Sequence, residues 1–196
     1  MAWTDASLIA MLVAGIGANA ARRCDDARCT MVAGGPFCPL TAEDQVGTPA
    51  LRRLFSYWQE RRQDRAMPER TDIDPLDIPQ CLPHLVLIEM TADDPPDLRY
   101  RLMGTRVARL FGRDLTGRRI SALPDPHLRR LVVATVHQVL ATGIPWLHRI
   151  PCAWDGVGDY ERVLLPLRAG GGPPLVLLGV QACGDPTYSA AAERLL

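Results

Sequence analysis

Residues 98–119, LRYRLMGTRVARLFGRDLTGRR, change secondary structure twice within a short stretch. Residues 98–103 alternate apolar side chains with mostly basic ones, a period of two that predicts a strand. Residues 105–111 carry apolar side chains at helical spacing and predict a short helix. Glycines stand at the three turns, at Gly104, Gly112 and Gly117. The stretch therefore predicts a strand that passes directly into a small helix and then into a turn.

The elements on either side complete a mixed pattern of helices and strands. The sequence predicts an amphipathic helix at 49–65, a strand at 85–90 that pairs with 98–103, a long helix at 127–143, and strands at 144–154, 160–168 and 173–183. Consecutive strands pair antiparallel, and the helices between the second and third strands share one face. We therefore expect an α+β fold with a five-stranded antiparallel sheet, helices on one face and an extra N-terminal amphipathic helix.

The chain has 196 residues, which suits one domain with additional sequence at its ends. Residues 1–47 show no sustained period, and we expect a poorly ordered leader there or a mis-assigned start codon. The folded domain is expected at 48–183, including the helix at 49–65. Residues 184–196 are expected to form a short tail.

Charge and cysteine content exclude several functional classes. Acidic and basic residues both number 22, so the formal net charge is zero and attracts neither nucleic acid nor anionic lipid. The apolar run within residues 7–21 is too short to span a bilayer. The six cysteines form no C-x-x-C pair, which argues against a metal site and favours free thiols in a reducing compartment. We therefore predict a cytoplasmic protein with no metal, nucleic-acid partner or membrane.

Three motifs sharpen the fold prediction: D-P-x-D-I-P at 74–79, Y-R-L-x-G-T at 100–105 and G-R-D-L-T-G at 112–117. With the runs YWQERR, YERVLLPL and LVLLGV, they make residues 50–182 resemble a family of stand-alone bacterial PAS-like proteins of largely uncharacterised function. The resemblance implies a sheet and helices that enclose a small pocket, often with dimerisation through an N-terminal helix. It implies a sensory or protein-interaction role and no particular ligand.

Three hypotheses about function follow from this resemblance and from the motifs. The first is a sensory or regulatory module that binds a small ligand or a protein partner and signals through another chain. The second is a redox or gas sensor loaded with haem or another cofactor, and the third is a small α+β enzyme. The helix at 49–65 could cover its own sheet or that of a second copy, which motivates the expectation of a homodimer.

Candidate ligand-binding residues lie on the short helix and on two strands. They are Tyr100, Val107, Leu110, Phe111, Trp146, His148, Ile150 and Cys152. By alternation, the last four share one face of the third strand. This face could line a pocket or could pack against the first helix, with Trp58 on Trp146, and we favour packing. The apolar roof of the pocket predicts that a ligand is not held by charge.

The sequence offers no catalytic constellation and requires no cofactor. His148 and Cys152 are four positions apart on one strand, so about 13 Å separates them and they cannot share a hydrogen bond. The segment GRDLTGRRISAL lacks the cysteine that the flavin photoreceptors of the PAS superfamily use. His137 lies on the long helix, as does the axial histidine of haem-binding PAS sensors. A rotation of about 100° per residue places His137 opposite the apolar stripe, which disfavours haem.

Overall fold

The computed structural model describes residues 30–32, 35–151 and 159–183. Its strands are β1 (Thr30–Val32), β2 (Gly35–Pro39), β3 (Leu85–Met90), β4 (Leu98–Met103), β5 (Trp146–Ile150), β6 (Tyr160–Leu167) and β7 (Leu175–Ala182). Its α-helices are α1 (Pro49–Arg62), α2 (Thr105–Leu110) and α3 (Pro126–Thr142), and short 3-10 helices lie at Glu43–Gln45, Arg70–Asp72, Pro75–Asp77 and Leu82–His84. No helix in these ranges is long and apolar enough to cross a membrane.

The strands form one antiparallel sheet, whose order in the described part of the chain is β1-β2-β5-β6-β7-β3-β4. The five strands expected from the sequence are contiguous in this order, from β5 to β4. The α-helices pack on the two faces of the sheet. The predicted α+β architecture is therefore confirmed, with two strands more than expected.

The two additional strands come from the segment predicted to be a poorly ordered leader. β2 pairs with β5 in a register that sets Phe37 opposite His148, and β1 pairs with β2. The prediction for residues 1–47 is therefore wrong for β1 and β2, while residues 1–29 lie outside the described part. Backbone hydrogen bonds to β5 hold β2 in place. Such bonds do not depend on the side chains, so they produce no repeating pattern of apolar residues from which the strand could be predicted.

A disulfide in β2 also departs from expectation. Cys38 is disulfide-bonded, whereas Cys81 and Cys183 are free thiols. The expectation of free thiols therefore holds for only two of the three cysteines that the structure describes.

Each face of the sheet carries its own hydrophobic core, as alternation along β6 illustrates. Leu164 belongs to the core beneath α2 and α3, whereas Val163 and Leu165 belong to the core beneath α1. All three side chains are fully buried. Because both faces are covered, β6 is buried at every position rather than at alternate ones.

Helix α1 packs on the sheet of its own chain. Its buried side chains are Ala50, Leu51, Leu54, Phe55, Tyr57 and Trp58. Gly179 of β7 makes room for them, since a Cβ at this position would lie 2.5 Å from Leu51 Cδ2 and 2.8 Å from Leu54 Cδ2. The apolar stripe that motivated a homodimer is thus covered within one chain, and dimerisation through residues 49–65 stays a prediction without that support.

Polar side chains of the sheet fix the start of α1. The Glu161 carboxylate accepts hydrogen bonds from the backbone N–H groups of Gly47 at 3.0 Å and Thr48 at 2.9 Å. Gln181 Oε1 accepts one from Ala50 N at 3.2 Å. N–H groups at a helix start lack intrahelical acceptors, so these side chains both cap α1 and tie it to β6 and β7.

The glycine of the Y-R-L-x-G-T motif lies directly against the connector at the end of β4. Gly104 N donates to Leu85 O at 2.7 Å. A Cβ on Gly104 would lie 2.5 Å from the carbonyl oxygens of Leu82 and Pro83, so no larger residue fits. The glycine of Y-R-L-x-G-T is therefore needed for a close backbone approach, because its φ of −67° is open to any residue.

The D-P-x-D-I-P motif joins the connector to α1. Tyr57 OH donates to Asp77 Oδ2 at 3.0 Å and accepts from Asp74 N at 2.9 Å. The Asp74 side chain accepts from Leu76 N at 2.9 Å and so caps the 3-10 helix at Pro75–Asp77. The motif aspartates thus have structural roles, as expected of turn-forming residues.

Candidate functional site

A small internal cavity lies between the sheet, α2 and α3. Its volume is about 30 Å³, which is room for one or two water molecules. Most of its wall is apolar, with side chains from strands, both helices and the turn after α2, including Val86, Val107, Leu115, Val132 and Leu178. Tyr100, Tyr160 and Arg162 supply the polar groups of the wall.

Arg162 is a charged side chain at the wall of this apolar cavity. It lies in β6 and is 4% exposed. Its Nη2 donates to Thr135 Oγ1 of α3 at 3.2 Å and to His148 Nδ1 of β5 at 2.8 Å. A guanidinium only donates, so His148 Nδ1 must be the acceptor and the proton of the neutral ring sits on Nε2. These two bonds fix the guanidinium in one orientation.

The two tyrosines differ in their surroundings. Burial raises the pKa of Tyr100 to about 12, against smaller opposing effects of Arg162 and Arg113. The Tyr100 hydroxyl is therefore protonated at neutral pH and can donate a hydrogen bond. The Tyr160 ring makes an edge-to-face contact with Phe111, with ring centroids 5.7 Å apart. Phe111 is only half-buried, whereas Tyr160 is fully buried.

Three of the residues predicted to bind a ligand line the cavity: Tyr100, Val107 and Phe111. Leu110 is partly buried against the same core but does not reach the cavity wall. Trp146, His148 and Ile150 share a face of β5, as predicted, but lie away from the cavity wall, and Cys152 lies outside the described residues.

The face of β5 packs against the unexpected strand β2. Phe37 stacks on Trp146 with ring centroids 4.5 Å apart and contacts His148 edge to face at 5.4 Å. The preference for packing over ligand contact agrees with this arrangement, but the predicted partner is wrong. Trp58 lies in the core on the opposite face of the sheet, where its Nε1 donates to Pro166 O at 3.0 Å.

Arg162 and Tyr160 are the polar residues of the cavity wall that sequence analysis missed. The run YERVLLPL was treated as an apolar strand, and its one arginine was given no role. A period of two would have grouped Tyr160, Arg162 and Leu164 on one face, with a charge beside a core leucine. The cavity wall thus includes one charged side chain, while the prediction that a ligand is not held by charge stays a prediction.

The side chains do not fit a haem group. His137 is exposed on α3 and does not line the cavity. A volume of about 30 Å³ is also far below the several hundred Å³ typical of pockets for larger organic ligands. Among the described residues, no group of three or more His, Cys, Asp or Glu side chains is placed to hold a metal ion.

A larger depression, of about 550 Å³, lies at one end of the sheet. Much of its wall belongs to residues 166–172, and it also includes Met67, Glu69 and Leu140. Its charged side chains, Glu69 and Arg168, are not buried. Because no buried polar group points to a ligand there, the internal cavity is the better candidate for a functional site.

A family model described as a PAS domain matches residues 46–182, which is more than half of the chain. This range covers α1, the cavity and the five strands expected from the sequence, but not β1 and β2. No curated protein and no solved structure matches the chain.

Proposed function

Because the chain belongs to the PAS domain family, we propose that it is a sensory or regulatory module that binds a small ligand and signals through another chain. The observation that carries this proposal is the cavity beneath α2 and α3, with the buried Arg162 side chain in its largely apolar wall. Concave, largely apolar sites with a few oriented polar groups are typical of ligand binding.

The roof of the cavity supports a site that can open. Helix α2 has only six residues, and Val107 is the one that it buries fully. Gly112 follows it with a φ of 70°, a conformation that glycine adopts without strain. A short helix with so little buried surface can move at low cost, which would admit a ligand larger than the cavity seen here.

The strand β6 supports a route from the cavity to the protein surface. Arg162 lines the cavity, whereas the neighbouring Glu161 holds the start of α1 on the other face of the sheet. A ligand that displaces β6 would therefore act on the anchor of α1. We infer that a partner chain senses the position of this helix.

The test is a thermal-shift screen of small metabolites on the full chain, repeated on two matched variants. Val132→Leu adds one methylene at the cavity wall, while Val133→Leu adds the same group on the exposed side of α3. We expect ligands that stabilise the native protein and the Val133→Leu variant but not the Val132→Leu variant. Circular dichroism confirms that both variants fold. No stabilising ligand, or equal stabilisation of both variants, would contradict the proposal.

A further inference from the structure

We propose that Cys29 and Cys38 form a disulfide that holds β1 on β2, and that its reduction by a thiol releases β1 from the edge of the sheet. This inference goes beyond the sensory role and does not depend on the cavity. It depends on the disulfide at Cys38, on the register of the two strands, and on how little else holds β1.

The register of β1 and β2 identifies the partner of Cys38. The strands are antiparallel, and Thr30 lies opposite Phe37. One step back along β1 and one step forward along β2 pair Cys29, which stands just before the described strand, with Cys38. Residues directly opposite each other in such strands have Cα atoms about 4.5 to 5.5 Å apart, and a disulfide spans about 4.4 to 6.8 Å.

The register aligns the other candidate cysteines less well. On the β5 side, Leu147 lies opposite Cys38, and Cys152 follows it five positions later. On the β1 side, Cys24 precedes Cys29 by five positions. Five positions of extended chain correspond to about 16 Å, which is more than twice the span of a disulfide. Cys29 is therefore the partner that the pairing of the strands favours.

The strand β1 has little else to hold it. It consists of three residues, and in the described part of the chain it pairs with β2 alone. Two strands without further packing are marginally stable in water. A covalent bond at the end of so short a ladder therefore decides whether β1 stays paired.

The strand β2, in contrast, has contacts that do not depend on the disulfide. Phe37 stacks on Trp146 with ring centroids 4.5 Å apart and contacts His148 edge to face. Just after β2, Leu40 N donates to Pro145 O at 2.8 Å. Opening of the disulfide should therefore release β1 and leave β2 paired with β5.

The co-reactant is a small thiol such as glutathione. Its thiolate attacks one sulfur of the disulfide, forms a mixed disulfide and displaces the other sulfur as a thiolate, which takes up a proton. A second thiolate then attacks the sulfur of the bound glutathione and releases the second cysteine. Two glutathione thiols are thus oxidised to one disulfide, while Cys29 and Cys38 are reduced.

Peptide mapping of the full chain tests the pairing. After treatment with oxidised glutathione, free thiols are blocked with N-ethylmaleimide and the chain is digested with trypsin without reductant. Trypsin cuts after Arg28, so Cys29 and Cys38 lie in one peptide, residues 29–52. We expect this peptide to be unlabelled and lighter by two hydrogen atoms than its reduced form. A labelled peptide, or one crosslinked to a second peptide, would overturn the pairing.

Hydrogen–deuterium exchange of the full chain tests the release of β1. Reduced glutathione should abolish the exchange protection of Thr30–Val32 and leave that of α3 unchanged. Cys29→Ser should lack this protection in both redox states, whereas Cys24→Ser, the matched control, should behave like the native protein. If Cys29→Ser does not fold, the native protein in its two redox states decides alone.

Two results would overturn the release of β1. One is slow exchange at Thr30–Val32 after the disulfide has been reduced, because pairing alone would then hold the strand. The other is a disulfide that excess reduced glutathione leaves intact in the folded chain. Neither measurement involves a ligand of the cavity, so either result would leave the proposed sensory function unaffected.

Discussion

Glu89 is a buried carboxylate held by two arginines of the neighbouring strand. It is 3% exposed. Arg99 Nε donates to its Oε1 at 2.7 Å, and Arg101 Nη1 donates to its Oε2 at 2.9 Å. Burial alone would raise the pKa of the Glu89 carboxyl, but the hydrogen bonds and charges of the two arginines outweigh it and hold the pKa below its ordinary value of 4.5.

The lowered pKa predicts how stability depends on pH. The unfolded chain binds a proton at Glu89 more readily than the folded protein, so its contribution to stability is present above pH 4.5 and is lost as the pH falls through the lower folded pKa. Glu89→Gln should lower the free energy of unfolding by about 2 kcal/mol at neutral pH and flatten its decline in acid.

Urea denaturation at a series of pH values checks this expectation. Glu60→Gln is the matched control, because Glu60 is exposed and its ion pair with Arg53 spans 3.4 Å. Such a surface pair contributes less than about 1 kcal/mol. A Glu89→Gln variant with the pH profile of the native protein would show that the arginines do not act on this carboxyl.

The residues of the candidate site were only partly accessible to sequence analysis. Tyr100, Val107 and Phe111 were predicted because the motif around Gly104 places a short apolar helix over a strand. Arg162 was missed because the role of an arginine in a strand cannot be inferred until its neighbours on the adjacent strand and helix are known. His148 and Thr135 are such neighbours, and they lie 14 and 27 positions away in sequence.

Helix α1 is joined to the sheet by a carboxylate as well as by its apolar face. Glu161 accepts from two backbone N–H groups at the helix start and also from Arg149 Nε at 2.8 Å. Replacement by alanine would leave those N–H groups without an acceptor from the sheet. We expect Glu161→Ala to accelerate amide exchange at Gly47 and Thr48 and to leave exchange in α3 unchanged.

Hydrogen–deuterium exchange with mass spectrometry measures this effect directly. Glu43→Ala is the control, since Glu43 lies near the start of α1 but its carboxylate bonds to Ser56 in an exposed position. Equal exchange at Gly47 and Thr48 in the native protein and in Glu161→Ala would show that Glu161 does not anchor the start of α1. The same result would contradict the proposal that a ligand in the cavity acts on α1 through β6.

Helices and strands whose apolar residues repeat at a clear spacing were predicted well. A strand held in the sheet mainly by backbone pairing with another strand was not predicted. The hairpin strands β3 and β4 have the predicted bounds, and α3 agrees with its prediction to within one residue at each end. The sequence of β2, GPFCP, offers one large apolar residue and two prolines, which is typical of a loop. Its place in the sheet, between β1 and β5, depends on pairing with β5, more than a hundred residues away.

The element that covers the Trp146 face of β5 was predicted wrongly for a related reason. Alternation correctly placed Trp146, His148 and Ile150 on one side of β5, but nothing in a single strand says which helix covers that side. The packing of α1 on Gly179 decides it, and this contact joins distant parts of the chain. Trp58 and Trp146 therefore lie in different cores.

The whole molecule is larger than the segment that defines its family. The family match begins at residue 46, whereas the sheet continues through β2 and β1. Phe37 is 2% exposed and stacks on Trp146, so its removal would uncover the edge of β5 and the aromatic side chains there. Loss of a buried phenylalanine costs about 3–5 kcal/mol.

A comparison of shortened chains tests the contribution of β1 and β2. The chain 46–196 should unfold at a markedly lower urea concentration than the chain 30–196, because only the second retains Phe37 and the pairing with β5. Both chains keep the complete cavity wall, so a difference reports on the added strands. Equal midpoints would mean that the two strands contribute nothing to stability.

The claim central to this account is that the cavity beneath α2 and α3 is the ligand-binding site of a sensory module. The most direct measurement is chemical-shift mapping on the full, ¹⁵N-labelled chain with the tightest ligand from the thermal-shift screen. The account predicts that the largest shifts occur at Tyr100, Val107, Val132 and Arg162, with smaller ones at residues 47–50. Shifts confined to the exposed face of α1 or to the depression at residues 166–172, with none at the cavity wall, would contradict it.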